Sequence, residues 1–170
     1  EPLMEACRKA WVSVGLRASL RYFLQMALQQ QGDPQRLELT SDLIPSQATD
    51  LHLLGALAEA IPQVKSLALD FRGCCQLRSL YGLAEVLARL PALGIFTLDL
   101  SECHELVNVD ALINGLTHLT AMHTFTLNVG ECYELGSLDV LLAASLEGFE
   151  LLSFGETRFK RGFVARRAKW

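Results

Sequence analysis

Proline and glycine are scarce, at 5 and 12 in 170 residues. With 51% hydrophobic and 20% charged residues, so few chain-breakers argue against disorder and favour one compact domain over two. Cysteine is sparse as well, and its total of 5 is odd. In a chain long enough to build its own core, that argues against an extracellular disulfide framework and favours reduced thiols, hence a reducing compartment such as cytoplasm, nucleus or an organelle interior. Basic charge is in deficit. A net charge of -4 excludes a surface made throughout for nucleic acid and leaves room only for a local basic patch. The opening EPLMEACRKAWVSVG lacks an arginine-led apolar core with a small-residue cleavage site, so no secretory signal is read, a presequence already removed remaining open. The uncharged stretch 111–130 holds Asn114, Thr117, His118, Thr120, His123, Thr124, Thr126 and Asn128, too much hydrogen-bonding chemistry for a transmembrane helix. Ser-His-Asp, HExxH and glycine-rich phosphate-loop patterns are missing, and His52, His104, His118 and His123 are scattered. The chain is therefore expected to be no enzyme and to need no cofactor.

Leucine, by contrast, supplies 34 residues, a fifth of the chain, and it is periodic. Cys74, Cys103 and Cys132 recur every 29 residues. The same interval aligns Leu69, Leu98 and Leu127; Phe71, Leu100 and Val129; Leu77, Leu106 and Leu135; Leu80, Val109 and Leu138; Leu83, Leu112 and Leu141; and Leu93, Met122 and Leu151. Within each copy SLALDFR, FTLDLS and FTLNVG alternate with period two and predict strands, whereas LYGLAEVLARL, VDALINGLTHL and LDVLLAASL space leucines by three and four and predict helices. The connecting turns end in Ser79, Asn108 and Ser137, suitable helix N-caps, with Asp110 and Asp139 near the positive end of the helix dipole. A zinc site draws close cysteine pairs together, but here one thiol recurs per unit. Cys74, Cys103 and Cys132 are accordingly expected as a buried structural ladder with no metal, and Cys75, in column with His104 and Tyr133, as outward-facing.

LDFRGCCQL, LDLSECHEL and LNVGECYEL resemble the leucine-rich repeat family, in units of the form LxxLxLxxCxxL with a long helical half. The resemblance covers Leu67 to Phe154, and less well a degenerate copy over 36–64, whose strand is displaced by one residue and which has Pro45 at the cysteine position. It implies an α/β fold, a right-handed leucine-rich repeat solenoid with a parallel sheet on the concave face and helices on the convex face. Three regions are expected: a helical N-terminal cap over 1–34, the solenoid over 35–157 with one degenerate and about three clear units, and a basic aromatic tail over 158–170. In the cap, Leu3, Cys7, Trp11 and Val14 form one stripe and Leu16, Leu20, Phe23 and Ala27 another, read as two helices or one bent helix ended by Gly32-Asp33-Pro34.

Strand alternation sends Ala68, Asp70 and Arg72, then Thr97, Asp99 and Ser101, then Thr126, Asn128 and Gly130, to the accessible sheet face. The Asp70–Asp99–Asn128 row, with Arg72, Thr97 and Thr126 beside it, is expected to contact a basic segment of a protein partner; a merely solvated face is the alternative. Two carboxylates without further oxygen ligands make a poor calcium site. Charge is partitioned, with 4 basic and 2 acidic residues over 1–31, 5 and 17 over 32–157, and 6 and none over 158–170. The tail combines Arg158, Lys160, Arg161, Arg166, Arg167 and Lys169 with Phe159, Phe163 and Trp170. It suits folding back on the acidic solenoid, docking on another protein or an acidic membrane, or binding RNA, and docking on a protein neighbour is preferred to nucleic acid or acidic lipid. The resemblance implies a non-enzymatic interaction module or accessory subunit of a larger assembly, with an inhibitor or activator of a partner enzyme, for example a GTPase regulator, as the alternative.

Overall fold

The structure, a computed structural model, describes residues 32–33, 35–40, 58, 62–136, 149–156 and 161–167. The expected N-terminal cap before Gly32, most of the helix of the degenerate unit, Ser137, Asp139, and the tail residues Arg158, Phe159, Lys160 and Trp170 lie outside the described residues.

The elements run β1 (Arg36–Leu39), β2 (Ser66–Asp70), α1 (Tyr81–Leu87), β3 (Ile95–Asp99), α2 (Asp110–Leu116), β4 (Thr124–Asn128), β5 (Phe149–Glu156) and β6 (Arg161–Arg167). One sheet holds all six strands in the order β1-β2-β3-β4-β6-β5. The first four are parallel, which makes the fold α/β. Parallel neighbours cannot be joined by a tight turn, and the crossings from β2 to β3 and from β3 to β4 each carry a helix.

Strand register reproduces the sequence interval. Leu67, Phe96 and Phe125 are successive partners, as are Leu69, Leu98 and Leu127, each step being 29 residues. From β1 to β2 the step is 30, Leu37 to Leu67, matching the displaced strand of the degenerate copy. The leucine and phenylalanine columns are buried, and they join Leu83, Leu87, Leu112 and Leu116 of the helices in one apolar core. Phe96 and Phe125 stack with ring centroids 5.5 Å apart. Each such side chain withdrawn from water is worth about 1.5–3 kcal/mol, and no copy could bury its own alone.

Backbone contacts between copies repeat too. Below each strand one carbonyl accepts two amides of the next copy: Gln35 takes Lys65 and Ser66, Lys65 takes Gly94 and Ile95, and Gly94 takes His123 and Thr124. Beyond β2, β3 and β4 the chain enters the left-handed region at Gly73 (φ 73°), Glu102 (φ 62°) and Glu131 (φ 59°). The turn positions 102 and 131 thus hold glutamates in a conformation glycine adopts freely. The helices start later than expected. Ser79 Oγ accepts the Tyr81 amide at 3.2 Å and Asn108 Oδ1 the Asp110 amide at 3.4 Å, so these residues stand two positions before the first helical residue. The helices approach closely at one point: a Cβ added to Gly115 would lie 2.8 Å from Ala84 Cα.

At the far end the pattern changes hand. β5 and β6 form an antiparallel pair, and β6 inserts between β5 and β4, antiparallel to β4. Most of the segment expected as a separate tail is therefore a strand of the sheet, and the boundary drawn between 157 and 158 falls between two paired strands. Continuing the 29-residue columns explains why. Glu156 and Arg158 would follow Leu127 and Val129, whose side chains are buried, so a further parallel unit would place charge in the core. The strand that pairs with β4 instead sets Ala165 opposite Phe125 and Phe163 opposite Leu127. Among the described residues no helix is long and apolar enough to cross a membrane.

Candidate interaction surface

Strands β2, β3 and β4 alternate buried and accessible positions, so the face opposite the core carries Ser66, Ala68 and Asp70, then Ile95, Thr97 and Asp99, then Thr124, Thr126 and Asn128. Five of the six residues singled out by the sequence, Asp70, Thr97, Asp99, Thr126 and Asn128, are brought together on it, with Asp70, Asp99 and Asn128 as register partners, while Arg72 lies past the end of β2.

Their side chains also do something the alternation pattern does not reveal. Asp70 Oδ1 accepts the amide of Arg72 at 2.9 Å, Asp99 Oδ1 that of Ser101 at 2.8 Å, and Asn128 Oδ1 that of Gly130 at 3.1 Å. Each closes an Asx turn that ends its strand. Asp99 further accepts the Ser101 hydroxyl at 2.5 Å and, on its other oxygen, the Asn128 amide nitrogen at 2.8 Å. The adjacent carboxylates are thus held by donors of the turns. The signal was present as Asp-x-Arg, Asp-x-Ser and Asn-x-Gly at one repeat position.

Arg72 leans across to the next copy: its Nη2 lies 2.6 Å from Glu102 Oε1, and its Nε donates to the same oxygen at 2.8 Å. The hydrogen bond to Glu102, then the charge of Glu102, and then those of Asp99 and Asp70 push the guanidinium above its ordinary range. A second bridge on the turn edge joins Arg78 Nε to Glu105 Oε2 at 2.6 Å.

The repeated cysteines lie inside. Cys103 Sγ donates to the Phe71 carbonyl at 3.3 Å and Cys132 Sγ to the Leu100 carbonyl at 3.0 Å, a contact from each copy to the one before. Burial pushes the Cys74 thiol up to about 11, with the charges of Cys75 and Asp70 adding to it, and burial pushes Cys103 higher still. Both stay protonated at neutral pH, as the Cys103 donation to the Phe71 carbonyl requires. Cys75 is exposed, and in its column His104 and Tyr133 stack at 5.2 Å. Among the described residues no group of three His, Cys, Asp or Glu side chains is placed to hold a metal ion.

Of the tail residues, Arg161, Phe163, Arg166 and Arg167 take positions in β6, where the register sets Arg161 opposite Glu156 and Arg166 opposite both Glu150 and Thr124. The basic segment is thereby aligned with acidic positions of its own chain. No protein-family model matches the chain, and neither the curated proteins nor the solved structures provide a match.

Proposed function

We propose that the chain is a leucine-rich repeat solenoid acting as a non-enzymatic protein-interaction module, an accessory subunit of a larger assembly that presents its sheet face to a protein partner. One observation carries this reading: the interval that repeats in the sequence is also the register between strands, so equivalent side chains form continuous rows across an accessible face. The row Ala68–Thr97–Thr126 is small and flat, and the row Asp70–Asp99–Asn128 beside it is polar and pre-ordered by its own turns. A rigid polar row can recognise a partner with little loss of side-chain entropy.

Thr97 and Thr126 provide the test, because their half-exposed side chains lie on the face without closing a turn. Thr97→Arg combined with Thr126→Arg should abolish co-purification of the partner from the native source while leaving the thermal unfolding midpoint within a few degrees of the parent. Retention of the partner by the folded double variant would remove this face from the interface.

A further inference from the structure

The last turn of α2 holds the chain's one asparagine followed by glycine, Asn114–Gly115, whereas Asn108 and Asn128 each precede valine. Packing demands the glycine, since a Cβ at 115 would lie 2.8 Å from Ala84 Cα. The same lack of a side chain leaves the Gly115 nitrogen unhindered towards the amide of the residue before it. Asn114 is exposed, and α2 is only seven residues long. Past its end the ladder shifts: the His118 amide donates to the Gly115 carbonyl at 3.3 Å. The Asn114 carbonyl takes side chains instead, the Thr117 hydroxyl at 2.8 Å and His118 Nδ1 at 2.7 Å. A carbonyl oxygen only accepts, so Nδ1 is the nitrogen that carries the proton.

We propose that Asn114–Gly115 is a spontaneous modification site, where loss of ammonia yields aspartate and isoaspartate and so records the age of the molecule. The Gly115 nitrogen attacks Asn114 Cγ. The new N–Cγ bond closes a succinimide as the Cγ–Nδ2 bond breaks, and the side-chain nitrogen leaves as ammonia with the Gly115 amide proton. Water then opens the ring, giving aspartate when it cleaves the new bond and isoaspartate when it cleaves the original peptide bond. The two donors on the Asn114 carbonyl polarise the peptide unit that contains the Gly115 N–H and make that N–H more acidic, which favours the attack. Helical geometry holds nitrogen and Cγ apart, so the reaction runs through release of the Gly115 amide from the turn before it, at the end of a short helix where fraying is easiest. That release leaves both side-chain bonds in place. Isoaspartate then adds a further carbon to the main chain directly before Gly115, where the contact with Ala84 leaves no room.

The full chain, aged in neutral buffer at physiological temperature, is sampled by peptide mapping and by an isoaspartate-specific carboxyl methyltransferase with labelled S-adenosylmethionine. Isoaspartate should accumulate at 114 far faster than at 108 or 128, where a β-branched neighbour hinders the attack. Asn114→Gln should remove the signal. Thr117→Val with His118→Leu should slow the reaction several-fold, with hydrogen exchange at Gly115 measured alongside to correct for altered opening. Side chains that served only as caps would give the reverse, because their loss would loosen the turn and speed the reaction. The modified fraction should unfold several degrees below the fresh protein. Equal rates at the three asparagines, an unslowed double variant after that correction, or an aged fraction as stable as the fresh one would overturn the assignment.

Discussion

The Cys103 and Cys132 thiols meet two local demands at once: each fills a small buried space, and each donates to a carbonyl of the preceding copy. Burial ties this arrangement to pH. The native Cys74 thiol titrates at about 11, against about 9 in the unfolded chain, so the native state holds that proton more tightly. Its contribution is complete below about pH 9 and is lost as pH rises towards 11, on the order of 2 kcal/mol in all. Urea midpoints measured from pH 8 to 11 should therefore fall, and fall less steeply in Cys74→Ala. Parallel curves for the two proteins would show that this thiol does not set the alkaline limb. The Asp70, Asp99 and Asn128 side chains follow the same economy at the strand ends, each closing a turn with one oxygen.

At the level of elements, the helices are short, and their mutual fit is set by backbone approach more than by large side chains. α1 and α2 meet where Gly115 faces Ala84, and a methyl group at 115 would fall 2.8 Å from a backbone carbon and 3.0 Å from a backbone oxygen. Backbone cannot step aside as a flexible side chain can. Gly115→Ala should therefore cost about 1–3 kcal/mol by forcing the helices apart, despite alanine's better helix propensity. Gly136→Ala, whose new methyl would meet only a carbonyl at 3.8 Å, should stay within about 0.5 kcal/mol. Equilibrium urea unfolding of both variants checks the contrast, and equal stabilities would mean that the helix contact yields more readily than its geometry indicates.

For the whole molecule the deciding feature is how the stack of parallel strands ends. A repeat that simply stopped at β4 would leave its edge and the apolar residues beneath it uncovered. Here the chain reverses and lays β6 along β4, with β5 outside it. Removing residues 161–170 should strip β4 of hydrogen-exchange protection first, lower the unfolding midpoint by several degrees, and leave β2, two strands further in, the better protected strand. Unchanged exchange at Phe125 and Leu127 would show that β6 contributes nothing to closure. The same deletion cannot serve as a clean test of partner docking by the basic segment, because it also removes a strand. Substitutions on the sheet face separate binding from folding.

The sequence alone determined the 29-residue unit, its strand–turn–helix order and the side of each strand that is buried, because leucine spacing records burial directly. It also identified the residues of the accessible face, since period-two alternation leaves only one side for Asp70, Thr97, Asp99, Thr126 and Asn128. The bonds those side chains make were beyond it: an Asx turn and a cross-copy Arg72–Glu102 bridge depend on backbone dihedrals and on neighbours 30 residues away. The pairing of Arg161–Arg167 likewise became visible only in three dimensions. Their charge suited folding back on the chain as well as docking on a partner, and pairing is a property of two strands together, so the edge of β4 that this segment lines is apparent only once the parallel strands are assembled.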